Sequence, residues 1–220
     1  TIMATQPPFV GTPVPPLDQL ITIIYTSGTT GNPKGVQITF GHFAAVLNAA
    51  KTTLRTDVPI PRFFSYMPLC HGAERCILEN AALATGATIY FTESLDTFAK
   101  NLAEARPTHF GSVPRIWVKF QQGILAKMSQ KKLDILLRIP IMSGIVKKKI
   151  RQGLGLNDVH YIAVGAAPMP IILTNWFRRL GIHLQEVYGM TETTGIICLM
   201  PRETIRDGTV GKPIDSVTLK

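Results

Sequence analysis

The chain has 220 residues, 45% of them apolar and 17% charged, a globular composition with material for a sizeable core, which excludes a disordered chain. Its longest apolar stretch, Ile135 to Val146, is interrupted by Arg138 and Pro140 and falls short of the roughly 20 residues of a membrane-spanning helix; no basic start followed by an apolar run marks a secretory leader. The net charge of +9 invites anionic partners, but no aromatic-plus-basic platform accompanies it, so nucleic acid is not expected among them.

In chain order, residues 1–19 hold Pro7, Pro8, Pro13, Pro15 and Pro16 and read as a Pro-rich extended linker ahead of a folded unit over 20–220. Leu20 to Ile24 reads as a buried strand and Gly35 to Thr39 as a second. Phe40 to Leu54 predicts a helix ending before Pro59. Arg62 to Met67 predicts a strand, Gly72 to Ala84 a helix stopped by Gly86, and Ala87 to Phe91 a short strand. Leu95 to Ala105 has helical spacing with Pro107 just past its end. Thr108 to Val113 follows as a strand, and Pro114 suits the first turn of a helix running towards Lys127. Leu133 to Gly153 reads as two helical pieces broken near Pro140. Val159 to Val164 is a strand, Pro170 to Leu180 a helix with Gly181 as its stop, and His183 to Val187 a strand. Leu219-Lys220 reads as part of one more strand after Gly211-Lys212-Pro213. This βαβα rhythm predicts an α/β fold with a mostly parallel sheet flanked by helices, whose sites lie beyond the carboxyl ends of the strands.

Cys70, Cys76 and Cys198 are odd in number and lack C-x-x-C spacing, which argues against a disulfide framework or structural zinc and for a reducing, cytoplasmic setting. Between residues 127 and 151, Lys127, Lys131, Lys132, Arg138, Lys147, Lys148, Lys149 and Arg151 face only Asp134. Such a segment suits peripheral contact with an anionic membrane, at its inner face, or a phosphorylated ligand; a solvated helical face is the alternative.

The densest chemical signal is Tyr25-Thr26-Ser27-Gly28-Thr29-Thr30-Gly31-Asn32-Pro33-Lys34-Gly35. Glycines let backbone N–H groups approach phosphate oxygens, hydroxyls donate to them, and Lys34 adds a point charge. It is not the common phosphate loop. Counting on from Gly28, Pro33 stands where the second glycine of that pattern belongs, and a strand follows instead of a helix. No G-x-G-x-x-G occurs, so a dinucleotide fold is not expected.

Tyr25 to Gly35 resembles the phosphate-binding signature of the adenylate-forming enzymes, which include acyl-CoA synthetases, luciferases and peptide-synthetase adenylation domains. Further segments follow in that family's order. Val164-Gly165-Ala166-Ala167-Pro168-Met169 resembles the adenine-binding loop, Tyr188-Gly189-Met190-Thr191-Glu192-Thr193 the Y-G-x-T-E signature, and Gly208 to Pro213 the G-x-x-G-K-P turn. Pro68 to Arg75, with Val113 to Trp117, resembles the long-chain fatty acyl-CoA synthetase branch. All three nucleotide motifs are expected to begin where strands end, after Ile24, Ala163 and Val187.

The resemblance implies a reaction in which a carboxylate attacks the α-phosphate of ATP and the acyl group then passes to a thiol, with ATP, Mg²⁺, CoA and a fatty acid as the small-molecule partners. On these positions it implies that Thr26, Ser27, Gly28, Thr29, Thr30, Gly31, Lys34 and Gly35 hold the β- and γ-phosphates. Thr191 would donate to the α-phosphate, and Glu192 would hold Mg²⁺, a hard cation suited to carboxylate and phosphate oxygens. Gly165, Ala166, Ala167 and Pro168 would lie along the adenine, Tyr188 would offer it a flat face with Gly189 and Met190 beside it, and Glu186 would read its amine. His71 would stand between the acyl pocket and the thiol entry. Each has a plainer alternative: Glu192 a surface acid, Tyr188 core packing, 165–167 a tight turn, His71 a helix-start histidine bonded to backbone. Arg115 and Trp117 read as helix anchors rather than ligand contacts.

The sequence reading is thus a long-chain fatty acid–CoA ligase, with 20–220 a partial AMP-binding (adenylation) domain. A fatty acyl-AMP ligase loading a carrier protein and a non-catalytic nucleotide- or acyl-binding module are the rivals. The family's ribose-binding aspartate, hinge and C-terminal lid with its lysine have no counterpart within 20–220, so this polypeptide alone is expected to turn over negligibly.

Overall fold

The structure, a computed structural model, describes residues 14–27, 31–53, 60–214 and 217–219. Two β structures of different kinds are built. Among the described residues, strands β1 (Leu20–Thr26) and β2 (Lys34–Thr39) pair only with each other, antiparallel, with Thr26 opposite Lys34 and Ile24 opposite Val36. The second sheet contains β3 (Arg62–Ser65), β4 (Thr88–Phe91), β5 (His109–Ser112), β6 (Tyr161–Val164), β7 (Gln185–Met190), β8 (Gly195–Leu199) and β9 (Lys212–Pro213) in the order β4-β3-β5-β6-β7-β8-β9. Neighbours from β4 through β7 run parallel, and β8 and β9 add an antiparallel edge. The mostly parallel α/β sheet expected from the rhythm is present.

The helices are α1 (Phe40–Thr53), α2 (Asn80–Thr85), α3 (Phe98–Ala105), α4 (Pro114–Lys127), α5 (Gln130–Arg138), α6 (Pro140–Gly153) and α7 (Ile171–Arg179). Local chemistry sets their ends. Pro114 opens α4 after an extended Val113, and the Ser129 hydroxyl caps α5 by accepting from the Lys132 N–H at 3.4 Å. Pro140 opens α6 after an extended Ile139, the expected break. Gly86 ends α2 in the left-handed conformation at φ +64°, which costs glycine nothing.

Several expectations are corrected. Gly72 to Ala84 is not one α-helix: Ala73–Glu79 is a π-helix that runs into α2, and its wider turn accompanies burial of both Glu74 and Cys76. Val217 to Leu219 carries no strand, because the chain turns after β9 with the Val217 N–H bonded to the Ile214 carbonyl at 2.9 Å. Residues 1–13 of the expected linker lie outside the described residues. Pro16 to Gln19 are not extended: the Gln19 N–H reaches the Pro16 carbonyl, and the Gln19 and Leu17 carbonyls accept from Phe40 and Gly41 at the start of α1. Strands β1 and β7 also run past Ile24 and Val187, so Tyr25-Thr26 and Tyr188 to Met190 lie within strands.

Alternation along β6 divides the interior. Ile162 and Val164 face a large core with Phe64, Phe110, Leu102, Trp117, Phe120, Leu173, Phe177 and Leu184, while Tyr161 and Ala163 face a smaller one with Val187, Leu199 and Ile214. The β1–β2 hairpin has a separate small core of Ile24, Ile38 and Cys76.

Candidate functional site

The π-helix adjoins the hairpin, and the segments at Gly72, Thr191 and Gly195 lie beside it. Cys76 packs with Ile24 and Ile38, fastening the hairpin that carries the Thr/Gly-rich loop. A Cβ on Gly195 would lie 2.9 Å from Ile77 Cγ1, so β8 begins directly against the same turn. Gly72, just before the turn, would place a Cβ 3.3 Å from Thr191 Oγ1 and 3.7 Å from its Cα. The Asn80 side chain donates to the Phe43 carbonyl at 3.1 Å and ties α1 to the assembly.

On the hairpin, Ser27, Gly31, Lys34 and Gly35 are exposed and Thr26 is half-buried. Gly28, Thr29 and Thr30 lie outside the described residues. Among the described residues, neither Thr26, Ser27 nor Lys34 hydrogen-bonds to Thr191 or Glu192; Ser27, Lys34 and Glu192 are exposed and Thr26 and Thr191 half-buried.

The second grouping joins the loop after β6 to β7. Gly165 donates its N–H to the Ser112 carbonyl at 3.1 Å, and a Cβ there would stand 2.7 Å from Val187 Cγ2. Ala166 holds a left-handed backbone at φ +66°, unusual outside glycine, and Ala166, Ala167 and Pro168 are exposed. The Glu186 carboxyl accepts from the Met169 N–H, which links the loop to the strand two residues before Tyr188. Burial pushes that carboxyl above the usual range, Asp207 adds to the rise, and the Met169 hydrogen bond opposes it. Tyr188 is 44% exposed, leaving a ring face open beside the loop. Gly189 lies so close to the Gly195 carbonyl across β7–β8 that no side chain fits between them.

After β7, Thr191–Thr193 forms a 3₁₀ turn that the Thr193 hydroxyl closes, donating to the Met190 carbonyl at 2.9 Å and accepting from the Met190 N–H at 3.2 Å. Glu192 is exposed and makes no ion pair or hydrogen bond among the described residues. No group of three or more His, Cys, Asp or Glu side chains is assembled there among the described residues. A lone unpaired carboxylate fits a magnesium ion whose other ligands are phosphate and water oxygens, not a cation held by protein alone.

His71 is exposed and its Nδ1 accepts from the Ala73 N–H at 3.2 Å. His71 and Glu74, three positions apart, do not share a surface: Glu74 points inward at 1% exposure, with neither carboxylate oxygen in a hydrogen bond of good geometry among the described residues. Burial raises its pKa, and the Ser65 hydroxyl and Met67 N–H pull the other way. Trp117 is fully buried and donates from Nε1 to Ser112 Oγ at 2.7 Å, which anchors α4 to β5.

Sequence reasoning assigned no part to Gly72, Thr193 or Gly195, although all three sit in or beside the quoted motifs. The signal available was size alone: glycines against a threonine-rich turn. A polar cleft lined by Arg151, Asn157, His160 and His183 opens at the start of β6 and β7, the other end of the sheet from these residues.

The family described as AMP-binding enzyme matches residues 4–220. Over 90% of its length the chain is 31% identical to long chain acyl-CoA synthetase 3 of Arabidopsis thaliana, covering 34% of that protein. It is 31% identical to the long-chain-fatty-acid–CoA ligase ACSBG2 of Xenopus laevis over 92% of its length, covering 32% of that relative. Among solved structures, the A-PCP didomain of the carboxylic acid reductase of Segniliparus rugosus in complex with AMP is similar with a TM-score of 0.62 at 30% identity, over 80% of this chain and 24% of that one. The chain spans about a third of the length of the two curated relatives. With its motif segments in the order of that family and a family match across nearly all its residues, the chain belongs to the AMP-binding enzymes.

Proposed function

We propose that the protein activates a long-chain fatty acid and transfers it to CoA. A carboxylate oxygen attacks the α-phosphorus of ATP, the bond from that phosphorus to the bridging oxygen breaks, and pyrophosphate leaves. The CoA sulfur then attacks the acyl carbon, AMP departs with the electron pair, and the thiol proton passes to solvent. The packing of Gly72 on Thr191 carries this reading, because it seats the acyl-synthetase-like segment against the adenylation motif. Family membership and the names of the curated relatives support it.

In this reading the Thr191 hydroxyl donates to the α-phosphate, while the hairpin loop and Lys34 receive the β- and γ-phosphates. Tyr188 stacks on adenine beside Gly165 and Ala166. Glu186 accepts from the adenine amine, for which its carboxyl must be ionised. Mg²⁺ bound by Glu192 would neutralise phosphate charge. Adenylation depends chiefly on positioning and charge stabilisation, so Thr191→Val is expected to slow acyl-adenylate formation by about 10²-fold, the usual effect of one lost donor. The 220-residue polypeptide on its own is proposed to make negligible acyl-CoA, as it spans about a third of its relatives.

The test incubates the full-length protein with ATP, Mg²⁺, CoA and a ladder of fatty acids and reads products by mass. Acyl-CoA peaking at long chains is expected. The likeness to an adenylation–carrier didomain favours one alternative acceptor, a carrier protein. Accumulation of acyl-adenylate without acyl-CoA would give that alternative the site. Formation of neither product would leave a nucleotide- or acyl-binding module.

A further inference from the structure

The α5–α6 hairpin carries an apolar ridge that nothing among the described residues covers. Ile135 is 58% exposed, Ile139 47%, Ile141 78%, Met142 36% and Ile145 44%. Ile135 lies in the last turn of α5, Ile139 is the extended residue joining the helices, and Ile141 and Ile145 are one turn apart in the first turns of α6, so all of them lie close to the tip where the helices join. All five residues from Arg138 to Met142 are exposed. The core faces of the same helices are already satisfied by Leu133, Ser143 and Val146. A surface helix of a soluble domain normally keeps its outer face polar, and this one does not.

The charge around the ridge is one-sided. Lys127, Lys131, Lys132, Arg138, Lys148 and Lys149 are exposed, Lys147 is half-buried, and none is in an ion pair among the described residues. The only acid between 127 and 151, Asp134, is already held by the Arg179 guanidinium and the Gln130 amide, which keep its carboxyl below the usual range.

We propose that this ridge docks on the surface of an anionic lipid bilayer, its isoleucines entering the boundary between headgroups and acyl chains and its lysines meeting the headgroup charge. Protein-binding patches concentrate aromatic residues and are depleted of lysine, whereas this ridge has no aromatic residue and a lysine rim. Lysine stems can lie along an apolar surface while their ammonium groups reach headgroups. The proposal does not rest on the adenylation reading.

Co-sedimentation of the full-length protein with vesicles tests it. Pelleting is expected with phosphatidylcholine mixed with phosphatidylglycerol and little with phosphatidylcholine alone, and salt should weaken it. Replacing Lys147, Lys148 and Lys149 by Gln is expected to weaken binding roughly fivefold per lysine. The double variant I139S/I141S is expected to lose at least about tenfold, given the free energy of burying isoleucine, with circular dichroism and thermal midpoint unchanged because both sites are exposed. Ile141→Trp should tighten binding. Equal binding to both vesicles, no binding to either, or an I139S/I141S variant that binds like the parent would each overturn the proposal. So would self-association, absent vesicles, that I139S/I141S abolishes, which would make the ridge a contact between copies of the chain.

Discussion

The parallel part of the large sheet and the β1–β2 hairpin are stabilised on different scales. Behind β5 and β6, Trp117 packs edge-on against Phe177 with ring centroids 4.9 Å apart and Phe120 at 5.5 Å, while Phe64 meets Phe98 at 5.4 Å. The hairpin rests on Ile24, Ile38 and Cys76, with half-buried neighbours. The thick aromatic core contains none of the candidate ligand side chains, which lie on β7 and the loops beside it, and the thin hairpin carries the Thr/Gly-rich loop. Binding loops belong to the low-stability end of a fold because they must move, and a rigid sheet lets them do so without loss of the whole.

Mutations can pull this contrast apart. Trp117→Ala should have the largest effect, about 3–5 kcal/mol of stability by the usual cost of deleting a buried aromatic, read by chemical denaturation. Its effect on nucleotide affinity, measured on the folded fraction, should be small; a large loss of affinity would mean scaffold and site are not separable. Gly189→Ala should do the reverse. Its methyl group meets the Gly195 carbonyl, so β7 and β8 must part, at about 1–3 kcal/mol for an overpacked position. ATP affinity by calorimetry should fall at least about tenfold, since 1.4 kcal/mol of displaced strand geometry is already a factor of ten. Glu74→Gln should have the smallest effect, and a favourable one. Burial raises the folded-state pKa of Glu74 above its unfolded value, so the fold binds that proton more tightly than the unfolded chain does. Stability from this group is therefore present below the ordinary carboxylate range and lost as pH climbs through the raised value. Glutamine has no proton to lose, so the variant should melt higher than the parent at pH 8 and the gap should close towards pH 4. A gap that widened in acid would show that Glu74 is held charged.

Much of the scaffold was legible because its signals are local. Pro114, Pro140, Gly86 and Gly181 punctuate the chain where the helices start or stop, and the unbroken apolar run Tyr161 to Val164 marks a strand buried on both faces. Strand β8 went unread although Ile196 to Met200 is an apolar run between Gly195 and Pro201, a strand signal masked by the motif before it. The π-turn was not legible, since a helix-like window of seven residues does not reveal which hydrogen-bond span it adopts. Nor was the burial of Glu74: a glutamate three positions from a histidine reads as a surface pair until the fold turns it inward. The seating of Gly72 on Thr191 joins residues far apart in the chain, and nothing local in either segment encodes it. Motif order pointed to the family; which motif touches which had to come from the fold.

The three cysteines give the thin region a chemical clock. Cys70 is exposed, whereas Cys76 and Cys198 are buried, and burial pushes the Cys76 thiol up to about 11. A disulfide reagent at neutral pH should therefore modify one thiol at once and reach Cys76 only when the hairpin lifts from the π-turn, since the thiolate is the reactive form. The slow labelling rate of Cys76 then measures how often that hairpin detaches. A nucleotide gripped by the hairpin loop should slow it, with no reporter group added to the protein.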